Sequence, residues 1–259
     1  MGPCALAQDR VLFLAIRENG YERIETKMEH VPAGRTQRIY ARLAGFLFLW
    51  SIIIGLGGAL LLSGIEGNGT FAETAKRISE SERLYRVVLS SAVNVPLSAA
   101  LLAFALYVTL KPVNSFLAQL AMIFNLLDAS LGCVVRICDF VKLHLYTSSQ
   151  LVGAGTISMQ VLTDLMRSIA GTTENIGGIF FGIGLLLFFY LFFKSRYIPR
   201  ILSAVGLFAS VIWIGLYFAK LVFPEHHAVF RYICFPPMLV ADVATGFWLM
   251  VFAVKEPGG

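Results

Sequence analysis

Hydrophobic residues in this chain neither alternate with polar ones nor recur as a narrow stripe; they run on. Six segments reach the length of about 20 mostly apolar residues that crosses the hydrocarbon of a bilayer. They fall at roughly 40–64, 86–110, 114–145, 174–193, 198–223 and 228–254. A segment in lipid must close its backbone hydrogen bonds within itself, so these runs predict helices. The period-2 alternation of a membrane barrel is absent. Between the third and fourth runs lies "TSSQLVGAGTISMQVLTDLMRSIAGTT". There Leu162, Leu165, Met166 and Ile169 repeat at helical spacing, while Gln160, Asp164, Arg167 and Ser168 fall largely elsewhere. That pattern predicts a short amphipathic helix lying on the membrane surface, with an ordinary packed connector as the alternative. The expected fold is all-α: a polytopic membrane helical bundle of six transmembrane helices, with a short extracytoplasmic amphipathic helix between the third and fourth.

Residues 1–34 read as a weakly ordered N-terminal tail ahead of a six-helix domain over 35–259. The apolar stretch Val11–Ile16 is too short for a signal-peptide core, and Met28 is an alternative start.

Composition agrees with the pattern. The chain is 57% hydrophobic and 14% charged, with mean hydropathy +0.74, too few ionised groups to cover 259 residues in water. Its net charge of +5 therefore reports membrane sidedness rather than nucleic-acid binding. Arg35, Arg38 and Arg42 precede the first run. Lys111 lies in the turn "KPVN", Lys194, Arg196 and Arg200 crowd "KSRYIPR", and Lys255 follows the sixth run. All fall on one side if both termini are cytoplasmic. The loop "AETAKRISESERLYR" on the other side also carries four basic residues, offset in part by three acids.

The four cysteines form no framework: Cys4 is in the tail, Cys133 and Cys138 share one apolar run, and Cys234 lies in another. Five-residue spacing puts Cys133 and Cys138 on different helix faces, so they read as buried apolar thiols. Glu225, His226 and His227 in "FPEHHAVF" include metal-ligand types. Adjacent histidines in a short loop rarely point at one ion, so no metal site is expected. No cofactor is expected either.

Candidate chemistry lies inside the runs. The third contains "FNLLDASLGCVVRICDF". On a helix at about 100° per residue, Asn125, Asp128, Gly132, Arg136 and Asp139 fall within about 80° of one another. Each charge in a span costs about 2.5–3.5 kcal/mol on insertion scales, so the stripe should face the bundle interior and find partners. Arg136 and Asp139 can pair at i, i+3, which leaves Asp128 without an obvious cation. Asp242, about half-way along the sixth run, and Asn94, in the second, sit at similar depth. Pro96, Pro236 and Pro237 can free backbone carbonyls nearby. Two carboxyls meeting there would share a proton or hold a cation or solute. The bland alternative is a polar staple in which these groups only satisfy one another. Gly55, Gly58, Gly178 and Gly182 are small residues that permit close helix approach.

The stretches "ARLAGFLFL", "FFGIGLLLFFYLFFKSRYIPRILSAVG" and "LVADVATGFWLMV" resemble a bacterial integral membrane family known as domain of unknown function 4386. The resemblance runs from about Arg38 to Val254, and "SRYIPRILS" is its most specific piece. The family pattern has Arg-x-x-Glu in the third span and Glu six residues before a Trp in the last. Here Asn125, Asp128 and Asp242 fill those positions, with Trp248 in place. The carboxylates match in kind but are one methylene shorter. The resemblance implies six helices in a bacterial inner membrane and points to the same acids; it implies no reaction.

Three functions remain open on the sequence. The leading one is an integral membrane protein whose intramembrane carboxylates bind or move a small solute or proton. The others are a membrane-embedded enzyme acting on a lipid or isoprenoid, and a non-catalytic partner or sensor subunit. Catalytic signatures such as H-E-x-x-H, G-x-S-x-G and D-D-x-x-D are missing, and no repeat relates the two halves of the chain. The expected partners are the bilayer and a small-molecule or lipid ligand, not nucleic acid.

Overall fold

The computed structural model describes residues 34–67, 69–149, 156–223 and 227–254, and the regular elements among them are helices. In chain order these are α1 (Arg35–Glu66), α2 (Phe71–Glu80), α3 (Glu82–Ala92), α4 (Asn94–Leu110), α5 (Ser115–Ser149), α6 (Thr156–Ser195), α7 (Arg200–Val222) and α8 (His227–Phe252). Five helical stretches are long and apolar enough to cross a bilayer: Arg35–Glu66, Glu82–Leu110, Ser115–Ser148, Ser158–Ser195 and Arg200–Val222. The described apolar part of α8, Pro236–Phe252, is shorter.

Local chemistry sets the breaks. Thr70 starts α2 with a capping box: its hydroxyl accepts from the Glu73 N–H at 3.4 Å, while the Glu73 carboxylate accepts from the Thr70 N–H at 3.1 Å. The second run is helical as expected but divides at Val93 into α3 and α4. Pro96 explains the division, because it has no N–H to offer the carbonyl of Ala92. At the α6–α7 link the chain turns through Arg196 at φ 57, an αL position that closes α6 by a bond from Arg196 N–H to Phe192 O. Pro199 then starts α7.

The long helices close into a ring. Each packs on the next in the order α1, α4, α5, α6, α7, α8, and α8 returns to α1. At the α1–α8 crossing, a Cβ on Gly45 would lie 2.5 Å from the Gly246 carbonyl oxygen, so the two backbones touch. Gly178 and Gly182 of α6 are covered by Tyr217, Ile214 and Trp213 of α7, as their small size foretold. The Trp213 indole N–H also donates to the Gly178 carbonyl at 2.9 Å.

The larger buried cluster lies toward one end of the ring, from Ala41 to Phe48, Leu102 to Ala121, Leu185 to Ala209 and Met238 to Val254. At that end the Gln37 side chain of α1 donates to the Thr109 carbonyl of α4 and to the Tyr197 hydroxyl of the α6–α7 link. The N-terminus of α1, the C-terminus of α4 and the basic link "KSRYIPR" therefore share one face. Beyond the other end of α1, α2 and α3 pack on α5 through Ala75, Ile78, Tyr85, Leu89, Leu143 and Tyr146.

Two expectations need correction. Residues 156–172 do not form a separate surface helix; they are the first turns of the continuous 40-residue α6. Met166 and Ala170 meet Val135 and Cys138 of α5, and this contact carries the helix straight through, while Leu162, Leu165 and Ile169 of the expected apolar face stay exposed. Helix α2 was not expected at all, because its ten residues are mostly polar and its cap, not its hydropathy, marks it. The tail through residue 33, Cys4, and the side chains of Glu225, His226, His227 and Cys234 lie outside the described residues.

Candidate functional site

The stripe on α5 faces its neighbours as its periodicity requires, but it divides along its length. Its inner part meets α6. Asn125 is buried, donates to its own Ala121 carbonyl at 2.9 Å and lies against Gly184. Asp128 Oδ1 lies where a Cβ on Gly177 would be 2.9 Å away. Glu174, one helical turn from Gly177, is the charged group that acts on Asp128. Gly132 turns instead to Pro96 of α4, with a would-be Cβ contact of 3.3 Å.

The outer part of the stripe is satisfied. Asp139 accepts from Arg136 at 3.0 Å and from Lys142 at 2.7 Å, so one carboxylate serves cations on either side along the same helix. Lys142 completes the set and was absent from the sequence-level reading. For Arg136 and Asp139 the staple reading describes the geometry fully.

Asp242 presents a different case. It lies on α8 one turn before Thr245 and two before Trp248, each step about 4.5 Å along the axis and 60° around it. Asp242 is 8% exposed and Thr245 0%. Asp242 Oδ1 and Thr245 Oγ1 are both buried without a hydrogen-bond partner among the described residues. No ion pair among the described residues involves Asp242. Unsatisfied buried polar atoms are rare because each loses its hydration for nothing in return.

Asp128 and Asp242 are not brought together. α5 and α8 stand across the ring from each other, and the charge acting on Asp128 is that of Glu174 rather than Asp242. By helix rise Asp128 lies about 20 Å from the start of α5 and Asp242 about 15 Å from the end of α8, at about 1.5 Å per residue. Depth along an axis does not fix azimuth around a ring, which is why the expected meeting fails. Asn94 also falls away from the interior. It is exposed and donates to its own Ser91 carbonyl at 3.1 Å.

Sequence reasoning missed several polar contacts. Gln37 and Tyr197 join three elements, and the Tyr85 hydroxyl donates to Glu66 at 2.6 Å across α1 and α3. Arg167 reaches the Tyr146 hydroxyl at 3.3 Å. Thr245 lies at i+3 from an acid already singled out, but spacing alone does not mark it.

Neither a curated protein nor a solved structure matches the chain. A family described as a domain of unknown function (DUF4386) matches residues 43–253, a stretch that includes Asn125, Asp128 and Asp242. The chain belongs to that family.

Proposed function

We propose that this integral membrane protein binds or moves a small solute or proton, with Asp242 as the intramembrane group that receives it. The observation that carries this reading is the Asp242 carboxyl itself, buried on an apolar helix with Oδ1 unpartnered among the described residues. An ionisable group inside a membrane is costly, and one that no residue neutralises needs a proton or a guest. Asp128, with Glu174 beside it, is a second acidic position on the opposite side of the ring.

On this reading α8 is the sixth crossing helix, and the shared face of Gln37, Thr109 and Tyr197 is cytoplasmic in a bacterial inner membrane. The Lys and Arg residues around Arg35, Lys111 and Arg196 support that orientation, and with it both termini inside. An acid–base pair made of Asp128 and Asp242 loses support, because the two carboxyls stand on helices across the ring.

The test uses the full chain in liposomes with an entrapped pH-sensitive dye and an imposed ion gradient. Wild-type protein is expected to relax the gradient faster than empty liposomes, and Asp242→Asn to fall to the empty rate. Equal relaxation by wild type and Asp242→Asn contradicts the proposal.

A further inference from the structure

We infer that Asp242 and Thr245 together hold a small monovalent cation, for which the proton competes. This rests on the reading of Asp242 as a receiving group and names what it receives.

The observation that takes the argument further is the hydroxyl of Thr245. Serine and threonine inside a membrane helix ordinarily satisfy themselves by donating back to a carbonyl three or four residues earlier. This chain does so repeatedly. Ser98 donates to Val95 O, Thr109 to Ala105 O, Thr163 to Met159 O, Ser203 to Pro199 O and Ser210 to Gly206 O. Thr74, also buried, reaches the Glu66 carbonyl of another helix. Among the described residues, each buried hydroxyl but that of Thr245 has a partner. Thr245 is wholly buried and gives up the back-bond that was available at Ala241.

Its place explains what that oxygen can serve. Thr245 is one turn from Asp242, so the two side chains rise from neighbouring positions on the same face of α8. The two oxygens do not hydrogen-bond to each other. A proton on Asp242 alone would therefore leave the hydroxyl unserved. A guest seated between them would serve both.

Charge and donor type narrow the guest. A carboxylate and a hydroxyl are hard oxygen ligands, suited to alkali and alkaline-earth ions rather than to soft metals. The site offers a single negative charge. The helices packed on α8 add none: the charged groups of α1 (Arg35, Arg38, Arg42 and Glu66) lie near its two ends, as do Arg200 and Lys220 on α7. Tyr40 and Tyr217 are the tyrosines on those helices, and no ion pair among the described residues involves Asp242. One carboxylate balances a monovalent ion, whereas a divalent ion would leave a net charge in a low-dielectric interior.

The test is thermal unfolding of the full chain in lipid nanodiscs, titrated with NaCl, LiCl or KCl against choline chloride at fixed ionic strength and several pH values. A ligand that binds the folded state raises the unfolding midpoint. The wild-type midpoint is expected to rise with at least one of these cations, and the half-saturating concentration to rise as pH falls. Asp242→Asn should lose the response, Thr245→Val should weaken it and Thr245→Ser should retain it. If Asp242→Asn does not fold, Asp242→Glu and the two Thr245 variants carry the test.

A wild-type response to pH but to no monovalent cation overturns this inference and leaves the proposed function standing. Stabilisation by MgCl2 or CaCl2 alone overturns it as well, as does a cation response untouched in both Asp242→Asn and Thr245→Val. Indifference to cations and pH alike, together with unaltered gradient relaxation in Asp242→Asn, removes both readings.

Discussion

The Gln37 side chain donates to the Tyr197 hydroxyl at 3.0 Å, joining the first turn of α1 to a link 160 positions further along the chain. Gln37 also donates to the Thr109 carbonyl, one of the last of α4 and without a helical partner of its own. One buried amide thus holds three elements at one end of the ring. Gln37→Leu should destabilise the folded protein by about 1–3 kcal/mol, since it strands a carbonyl and a hydroxyl in a buried place. Tyr197→Phe should cost less, about 1 kcal/mol, because Gln37 keeps the Thr109 carbonyl. Unfolding in mixed micelles measures both, and equal losses would contradict this division of roles.

The same tyrosine gives a pH dependence. Burial, the largest influence, pushes the Tyr197 hydroxyl up, and the Gln37 hydrogen bond pulls it part of the way back. A group whose ionisation is raised on folding contributes stability that is complete below its unfolded value, about 10 for tyrosine. That contribution is lost as pH rises through the folded value. Stability should therefore fall in the alkaline range, and Tyr197→Phe should fall less steeply. Parallel curves would contradict the assignment.

The glycines rank by what an added methyl group would meet. At Gly45 it would strike backbone on α8, 2.5 Å from both Gly246 O and Met250 N, where nothing can rotate away. At Gly178 it would strike the Tyr217 ring, and at Gly57 it would meet open space. Gly45→Ala should cost the most and Gly178→Ala about 1–3 kcal/mol, while Gly57→Ala should be neutral or stabilising by up to about 1 kcal/mol. Thermal melting of the three variants checks the order, and a destabilised Gly57→Ala would break it.

Asp139 is held to be a staple, and a staple has a signature. Asp139→Leu leaves Arg136 and Lys142 without their anion and should cost about 3 kcal/mol or more. Replacing all three, as Arg136→Met, Asp139→Leu and Lys142→Met, should recover most of that loss. The triple variant should also keep the gradient relaxation of wild type. A stable triple variant that has lost it would make these residues functional.

The architecture was legible because lipid imposes a simple rule. Runs such as 40–64 and 198–223 had to be helices, and their lengths carried through to α1 and α7. Gln37 joins the elements beside the basic link "KSRYIPR" and the turn at Lys111, so the two lie at one end of the ring. Boundaries set by polar chemistry were harder. The capping box at Thr70 and the missing donor at Pro96 are single-residue signals that hydropathy averages away.

The candidate site was half legible. Periodicity showed that Asn125, Asp128, Arg136 and Asp139 share a face of α5, but not which neighbour each would meet. Asn125 and Asp128 found α6, and Asp139 found Lys142 on its own helix. Asp242 stood out as an acid in an apolar helix, but Thr245 gained meaning only from its missing back-bond, which no sequence displays.

The most direct test is infrared difference spectroscopy of the carboxyl bands on adding NaCl, LiCl or KCl, or on a pH step, with wild type compared to Asp242→Asn. A carboxyl band present in the wild-type difference spectrum and absent in the variant is the predicted result. Identical spectra from the two proteins would contradict the claim that Asp242 receives the ligand.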